Sequence, residues 1–412
     1  MTVSKTRILI ASIFGNALEF YNLTLYGFFV SIIAETFFPS DTPLVSMISS
    51  LMGYAIGFVV RPVGAILFGY IGDTWGRRKA LGVSILIMGL PAFMIGALPG
   101  YETLGLLSPF ILLLCRVVQG LCSGGEFNGA TIFALEHLGK KTPGFAGGLI
   151  VGSCLLGSLA ALGVATLINF LDLPPWGWRL AFLAGGLSSF YGIYMRKKME
   201  ESPIFSLLKK EDKIVQKPLK VALSQQFGSC ARVFSIGAFD GALTYTLVTF
   251  LVVYTTTYLH ICPKAAFQYN FFGILTCMVA CPLSGYIADK IGVRRTLLWS
   301  TIAVLVLSTP AFMLIHKGTG FSMITANIIL GLLTGGVIGV QPLFSQKLFP
   351  ANTRYTGIAF SYSLSIGLVG GLTPLLLTYL VSHGYSFAPA LYLMAFSLVF
   401  LSVVLKTKFK DL

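Results

Sequence analysis

Long apolar stretches recur twelve times along the chain, and they restrict its fold more than any other feature. A helix crosses a lipid bilayer with about 20 apolar residues, and the stretches reach or approach that length. Only 11% of the 412 residues are charged, too few to cover a globular surface. We therefore predict an all-α integral membrane protein with twelve transmembrane helices. The predicted spans are 8–33, 46–71, 80–98, 104–127, 144–170, 178–195, 224–258, 267–288, 296–315, 319–348, 355–382 and 386–405.

The positive charges are distributed unevenly between the loops that join these spans. Of the 29 Lys and Arg residues, 23 fall in the termini and one set of alternate loops. The other six are Arg179, Lys264 and Lys317 in the opposite loops, and Arg61, Arg116 and Arg232 inside spans. This asymmetry predicts a multi-pass protein of a bacterial inner membrane with both termini in the cytoplasm. The net charge of +14 therefore indicates topology, and no nucleic-acid partner is expected.

Two segments with the same layout lie 216 positions apart, each where a span meets a basic loop. Gly69–Lys79 reads GYIGDTWGRRK, and Gly285–Arg295 reads GYIADKIGVRR. A second repeat, offset by 211 positions, involves closely spaced glycines of the kind that let helices pack tightly in a membrane. These are Gly120, Gly124 and Gly125 in span four, and Gly331, Gly335 and Gly336 in span ten. The repeats indicate two similar halves, the layout of a secondary transporter.

The only long hydrophilic stretch inside the chain, 196–220, carries eight cations and falls between spans six and seven. We predict an N-terminal six-helix half at 1–195, a cytoplasmic linker at 196–220 and a C-terminal six-helix half at 221–412.

The paired loops resemble the G-x-x-x-D-x-x-G-x-R-[RK] motif of the major facilitator superfamily. Further stretches are similar to its metabolite:proton symporter family, and most similar to the proline/betaine transporters within that family. They are Gly15–Asn22 with Tyr26-Gly27, Arg61–Gly64, Gln119–Glu126, Trp176–Arg179 and Phe349–Gly357. The resemblance covers essentially the whole chain. It implies the major facilitator fold, alternating-access transport of a small organic solute, and a proton gradient as the driving force without a cofactor.

Three features depart from the family pattern. Asn22 stands where the family usually has Asp, so this position cannot carry a proton. Thr74 stands where the loop motif usually has Arg. No long coiled-coil tail follows the last span, so regulation by such a tail is not expected.

Ionisable side chains inside the spans are candidates for proton coupling, because a charge in lipid is costly unless it faces a cavity or a partner. The acids are Glu19, Glu126 and Asp240. We expect Glu19 or Glu126 to carry the proton, with Arg116 or Arg61 as the answering cation; fixed structural ion pairs between helices are the alternative.

Polar and aromatic side chains near these charges are the predicted solute contacts. Glu19, Asn22 and Tyr26 share one helical face by their spacing, and Arg116, Gln119, Ser123 and Glu126 share another. The predicted contacts are Tyr21, Asn22, Tyr26, Arg61, Arg116, Gln119 and Ser123.

The loop motif is a different kind of site. In the family this loop braces the cytoplasmic side, and its Asp meets the positive N-terminus of a neighbouring helix. The resemblance therefore implies a conformational gate. For Glu136 and Arg354, the alternative is that they are ordinary charges at the membrane interface. The predicted gate residues are Gly69, Asp73, Gly76, Arg77, Arg78, Glu136, Asp289, Arg294 and Arg354.

These features favour a proton-coupled symporter that works as a monomer. A drug exporter or uniporter of the same fold, and a membrane enzyme or receptor, are the competing functions. No nucleophile–base pair, zinc-protease motif or phosphate-binding loop indicates an enzyme, and neither the seven Cys nor the four His suggest a metal site.

The deep charges bear on the class of solute. Three acids face two or three cations, so a di- or tricarboxylate would add negative charge without surplus positive charge to meet it. A zwitterion such as proline or glycine betaine adds no net charge, and its cationic end could contact Glu19 and a Tyr ring. Proline or betaine is thus favoured over citrate, 2-oxoglutarate or shikimate.

Overall fold

The computed structural model describes residues 5–139, 142–171, 173–197 and 199–407, and the regular structure in these ranges is helical. Eleven helices in the described ranges are long and apolar enough to cross a membrane. A further helix of 20 residues, Trp178–Lys197, occupies the place of the remaining predicted span. Numbered in chain order, helices 1 to 12 are Lys5–Phe28, Val45–Thr74, Arg77–Ala97, Leu107–Leu138, Pro143–Phe170, Trp178–Lys197, Phe227–Thr257, Pro263–Ile291, Val293–His316, Gly320–Leu348, Arg354–Ser382 and Ala388–Lys406. The all-helical prediction is confirmed. Lys140, Lys141, Lys198, Lys408 and Lys410, which contribute to the predicted charge asymmetry, lie outside the described residues.

Short helices connect some of the long ones. Val30–Phe37 follows helix 1, and Tyr101–Leu104 precedes helix 4. The predicted linker contains Pro203–Lys210 and the start of Pro218–Gln225.

Two of the long helices are interrupted next to a proline. Helix 2 breaks at Val60 just before Arg61-Pro62, and helix 10 breaks at 339–340 just before Gln341-Pro342. Proline lacks a backbone N–H and crowds the preceding turn, so it disrupts the helical ladder. Helices 7 and 11 instead contain π-helical turns, Thr246–Phe250 and Ile366–Gly370, which are frequent at functional sites.

The described chain divides into two compact units. Unit 1 comprises Met1–His137, Ser153–Leu219 and Ala351–Phe360, and unit 2 comprises Leu138–Gly152, Lys220–Pro350 and Ser361–Leu412. The start of helix 11 therefore belongs to unit 1, and the start of helix 5 belongs to unit 2. This exchange of short segments is not visible in the sequence, and the halves at 1–195 and 221–412 remain a prediction.

Glycines bring pairs of helices into backbone contact in both units. In unit 1, a Cβ on Gly120 would lie 2.2 Å from the Gly57 carbonyl oxygen, so helices 2 and 4 can approach only with glycine there. In unit 2, a Cβ on Gly331 would lie 2.3 Å from the Gly273 carbonyl oxygen of helix 8. Gly120 and Gly331 thus make equivalent contacts, as expected for close packing without a hydrophobic driving force.

Candidate functional site

Glu19 lies buried in unit 1, where helix 1 faces helix 4. Its side chain accepts a hydrogen bond from Ser123 Oγ at 2.5 Å, and Glu19 is only 1% exposed. The second carboxylate oxygen, Oε2, has no hydrogen-bond partner among the described residues. Glu126, Arg61 and Arg196 lie close enough to act on Glu19 electrostatically. The site therefore contains a buried acid with one oxygen still available.

Glu126 has a dedicated cation, and it is not one of those predicted. Arg196 forms an ion pair with Glu126 and also donates to the Leu81 carbonyl. Ser84 donates to the other Glu126 oxygen. Neither Arg116 nor Arg61 forms an ion pair with a carboxylate in the described ranges, although Arg61 acts on Glu19 through its charge. The cation that pairs with Glu126 is therefore Arg196 and neither of the two expected ones. The reason is that helix 6 continues to Lys197, past the predicted end at 195, and keeps Arg196 buried.

Arg116 is fully buried and is held without a carboxylate. It donates to Gln119 Oε1 at 2.8 Å and reaches the Gly53 carbonyl of helix 2 at 3.4 Å. Its guanidinium carbon lies 4.4 Å from the Tyr26 ring centroid and 5.4 Å from that of Tyr54. Aromatic faces stabilise a cation without neutralising it. Arg116 thus retains its charge beside buried polar side chains.

Arg61 of helix 2, like Arg116 of helix 4, forms no ion pair with a described carboxylate. Its guanidinium carbon lies 4.6 Å from the Phe58 ring centroid. The Nε atom is buried and makes no hydrogen bond in the described part of the chain. The amide nitrogen of Gln119 is likewise buried and makes no hydrogen bond to a described residue. Unit 1 therefore holds several buried polar atoms that a ligand could satisfy.

Asn22 and Tyr21 face helix 6 rather than helix 4. Tyr21 donates to the Ala181 carbonyl at 3.1 Å, and a Cβ on Gly185 would lie 2.1 Å from Asn22 Oδ1. Tyr26, by contrast, donates to the Ser50 carbonyl in helix 2 at 3.1 Å. Glu19, Asn22 and Tyr26 thus meet helices 4, 6 and 2 respectively, and the spacing of three residues turns Asn22 about 60° away from Glu19. Both amide atoms of Asn22 lack a hydrogen bond to described residues.

Asp240 belongs to unit 2. It accepts hydrogen bonds from Tyr362 at 2.6 Å and from Thr244 at 2.9 Å. Asp240 is 5% exposed and forms no ion pair with a described residue. Helix 7 turns into its π-helical segment six residues later, so this carboxylate lies beside irregular backbone.

Asp73 contacts the N-terminus of helix 11, as the sequence predicted for a neighbouring helix. Its two oxygens accept the backbone N–H groups of Tyr355 at 3.3 Å and Thr356 at 2.8 Å. A Cβ on Gly69 would lie 2.7 Å from the Thr356 Cα, so the motif glycine admits the helix end. A carboxylate on free N–H groups at a helix start is favoured by charge and by the helix dipole.

A buried charge network surrounds Asp73 in unit 1. Arg77 lies 3.3 Å from Asp73 and 3.4 Å from Glu136, and Arg354 lies 3.1 Å from Glu136. Arg77 also donates to the Ala351 carbonyl at 2.6 Å. The structure thus brings four of the predicted gate residues together. Gly76 adopts a φ of +119°, which favours glycine.

Glu201 and Ser202 were missed by sequence reasoning. Glu201 accepts the backbone N–H of Arg78 at 3.2 Å, and Ser202 donates to Glu136. Both belong to the hydrophilic linker, where no motif distinguishes them.

The second loop motif, in unit 2, also places its Asp against the start of a helix. Among the described residues, no ion pair forms around this Asp as it does around Asp73. Asp289 accepts the N–H groups of Gly144 at 2.7 Å and Phe145 at 2.8 Å, at the start of helix 5. These residues precede Tyr355 and Thr356 by the same 211 positions as the glycine repeat. Arg294 instead donates to the Leu405 carbonyl at 3.0 Å.

At the repeat positions that correspond to the charged residues around Asp73, unit 2 does not have the same charges. Val293, Lys347 and Pro143 correspond to Arg77, Glu136 and Arg354 at the two repeat offsets. The two motifs are therefore similar in backbone contact and different in charge.

Comparisons with known proteins agree with this architecture. A family model described as Major Facilitator Superfamily matches residues 12–374. The chain is 30% identical over 408 residues to the proline/betaine transporter of Escherichia coli strain K12, covering 94% of this chain and 80% of that protein. It is 32% identical to the glycine betaine/proline/ectoine/pipecolic acid transporter OusA of Dickeya dadantii, with the same coverage. Among solved structures, the proton:xylose symporter XylE bound to 6-bromo-6-deoxy-D-glucose matches with a TM-score of 0.76 at 14% identity, over 97% of this chain and 94% of that one.

Proposed function

Because the chain belongs to the major facilitator superfamily, we propose that it is a proton-coupled symporter of a small zwitterionic solute such as proline or glycine betaine. It is a multi-pass membrane transporter, and the relatives named for proline and betaine transport suggest the solute class. The observation that carries the proposal is the buried Arg116 of unit 1, which has no carboxylate partner among the described residues. It functions as a monomer in a bacterial inner membrane.

Arg116 is the proposed site for the solute carboxylate. A guanidinium binds a carboxylate through two parallel hydrogen bonds, and Arg is well suited to this geometry. The cation–π contacts with Tyr26 and Tyr54 hold Arg116 in place while its charge stays available.

Glu19 is the proposed proton carrier. Its Oε2 atom has no hydrogen-bond partner among the described residues, so it can bind or release a proton without first breaking a hydrogen bond. Glu126 is less suited, because Arg196 and Ser84 occupy its two oxygens. We assign Glu126 a positioning role instead.

An organic-acid symporter is the second candidate, and one observation favours it. Once Glu126 is paired with Arg196, the other buried charges predicted for proton coupling or solute contact in unit 1 are one acid, Glu19, and two cations, Arg61 and Arg116. A protonated Glu19 would leave surplus positive charge, which suits a dicarboxylate better than the sequence alone indicates.

Uptake into proteoliposomes distinguishes the zwitterion symporter from the organic-acid symporter. With an inward proton gradient, we expect radiolabelled proline or glycine betaine to accumulate, and a protonophore to abolish the accumulation. Excess citrate or 2-oxoglutarate should not compete. Proton-driven citrate uptake that excess proline and betaine fail to inhibit would refute the zwitterion assignment and leave the fold unaffected.

Topology can be tested with a native residue. Cys262, before helix 8, is exposed, and the other six Cys are buried. If both termini are cytoplasmic, a membrane-impermeant maleimide should label Cys262 from outside intact cells, and Cys262→Ser should remove the label. In that background, Lys217→Cys in the linker should react only after permeabilisation. Labelling of Lys217→Cys in intact cells would reverse the orientation.

A further inference from the structure

A cavity of about 1040 Å³ lies in unit 1, beside the charge network but outside it. The end of helix 2, the first turns of helix 3 and the short helix Pro203–Lys210 line it. It is open to the surroundings rather than enclosed by helices, since much of its lining is exposed. None of the residues proposed above for solute binding lines it.

One wall of the cavity is cationic. Lys79, Lys209 and Lys210 line it, are exposed, and form no ion pair with any residue that the structure describes. Glu201 is the carboxylate of this lining, and it accepts backbone N–H groups of Arg78 and Ser202. The wall therefore carries a surplus of positive charge that suits an anionic group.

The lining also includes an apolar groove, formed by Trp75 at the end of helix 2 and by side chains of helix 3. Trp75 is 60% exposed, Val83 40% and Leu86 51%. A Cβ placed on Gly82 would find no heavy atom within 4 Å, so the groove is open at that point. Val83 follows Lys79 by four residues, about 6 Å along the helix. Lys79 thus lies about one turn from Val83 in the groove.

We propose that this cavity binds an anionic glycerophospholipid, with its phosphate against Lys79, Lys209 and Lys210 and an acyl chain along Gly82 and Leu86. A free phosphate would use the cations and leave the groove empty, whereas a lipid uses both. Basic pockets between membrane helices at the cytoplasmic side bind such headgroups, and each cation near an anionic surface contributes roughly fivefold in affinity.

The charge requirement is tested with two matched double variants. Purified protein in detergent is titrated with dioleoylphosphatidylglycerol or dioleoylphosphatidylcholine, and bound lipid is counted by native mass spectrometry. Lys209→Gln with Lys210→Gln should weaken phosphatidylglycerol binding by about 25-fold, at about fivefold per cation. Lys217→Gln with Lys220→Gln removes the same charge from the linker outside the cavity and should leave binding unchanged. Equal weakening in both would show a diffuse charge effect and refute the site.

The groove is tested with two glycine variants. Gly82→Leu should fill the groove and displace phosphatidylglycerol. Gly163→Leu is the control, because a Cβ on Gly163 also finds no heavy atom within 4 Å and Gly163 lies in helix 5, away from the cavity. Unchanged binding in Gly82→Leu, equal binding of phosphatidylcholine, or displacement by millimolar glycerol 3-phosphate would each overturn the proposal.

Discussion

Replacing Glu19 with Gln should abolish solute accumulation driven by a proton gradient while leaving solute exchange in place. Gln keeps the length of the side chain and can still accept the hydrogen bond from Ser123, but it cannot bind and release a proton. Accumulation should therefore fall to the level of passive equilibration. The measurement compares gradient-driven uptake with counterflow in proteoliposomes.

Glu126→Gln is the informative comparison, because the two acids have different surroundings. This change leaves Arg196 buried without its partner, and breaking a buried ion pair by removing one member costs about 3–5 kcal/mol. We expect a lower melting temperature and less folded protein, with proton coupling retained in the molecules that fold. If Glu19→Gln still accumulates solute with proton dependence and Glu126→Gln does not, the two roles are reversed. If both retain coupling, Asp240 or another group carries the proton.

Replacing Asp73 with Asn should slow transport by about ten- to thirtyfold, with protein level and equilibrium solute binding preserved. A charge at a partly buried helix terminus is worth up to about 2 kcal/mol, about thirtyfold in a conformational equilibrium. Asn retains the shape but loses the charge that meets the Tyr355 and Thr356 N–H groups and Arg77. Initial uptake rates and equilibrium binding, measured on the same preparation, separate a gating defect from a binding defect.

Two further Asp variants serve as references for this result. Asp289→Asn removes the same type of contact from unit 2, where no Arg77 equivalent surrounds it, so we expect a smaller loss of rate. Asp41→Asn removes an exposed acid before helix 2 and should transport normally. Normal rates in Asp73→Asn would show that the contact with helix 11 does not control transport.

Part of the network around Asp73 could be predicted from the sequence. The motif predicted that Asp73 would meet the N-terminus of a helix, and the contact with helix 11 has this form. Arg77, Glu136 and Arg354 were assigned to one network, and the structure brings them together. The gating role of these residues stays a prediction.

The solute site was less accessible to sequence reasoning. Glu19 and Arg116 stand out as charges inside spans, so their burial follows from the cost of a charge in lipid. The Arg196–Glu126 pair could not be foreseen, because Arg196 lies beyond the predicted end of a span and helix ends are the least certain boundaries. The neighbour that Asn22 contacts could not be foreseen for a related reason, since a rotation of about 60° decides which helix a side chain meets.

The sequence by itself determined that this chain forms apolar helices in two repeated sets, since hydrophobicity, span length and repeat spacing are read along the chain. It also determined which residue types lie deep in the membrane. Only the tertiary structure decided which cation pairs with Glu126, that Arg116 is held by aromatic rings, and that Arg77, Glu136 and Arg354 form ion pairs around the first loop motif. Those outcomes depend on the rotation and exact end of each helix and on contacts between residues that lie far apart in the sequence, such as Arg196 and Glu126, 70 positions apart, which no local pattern specifies.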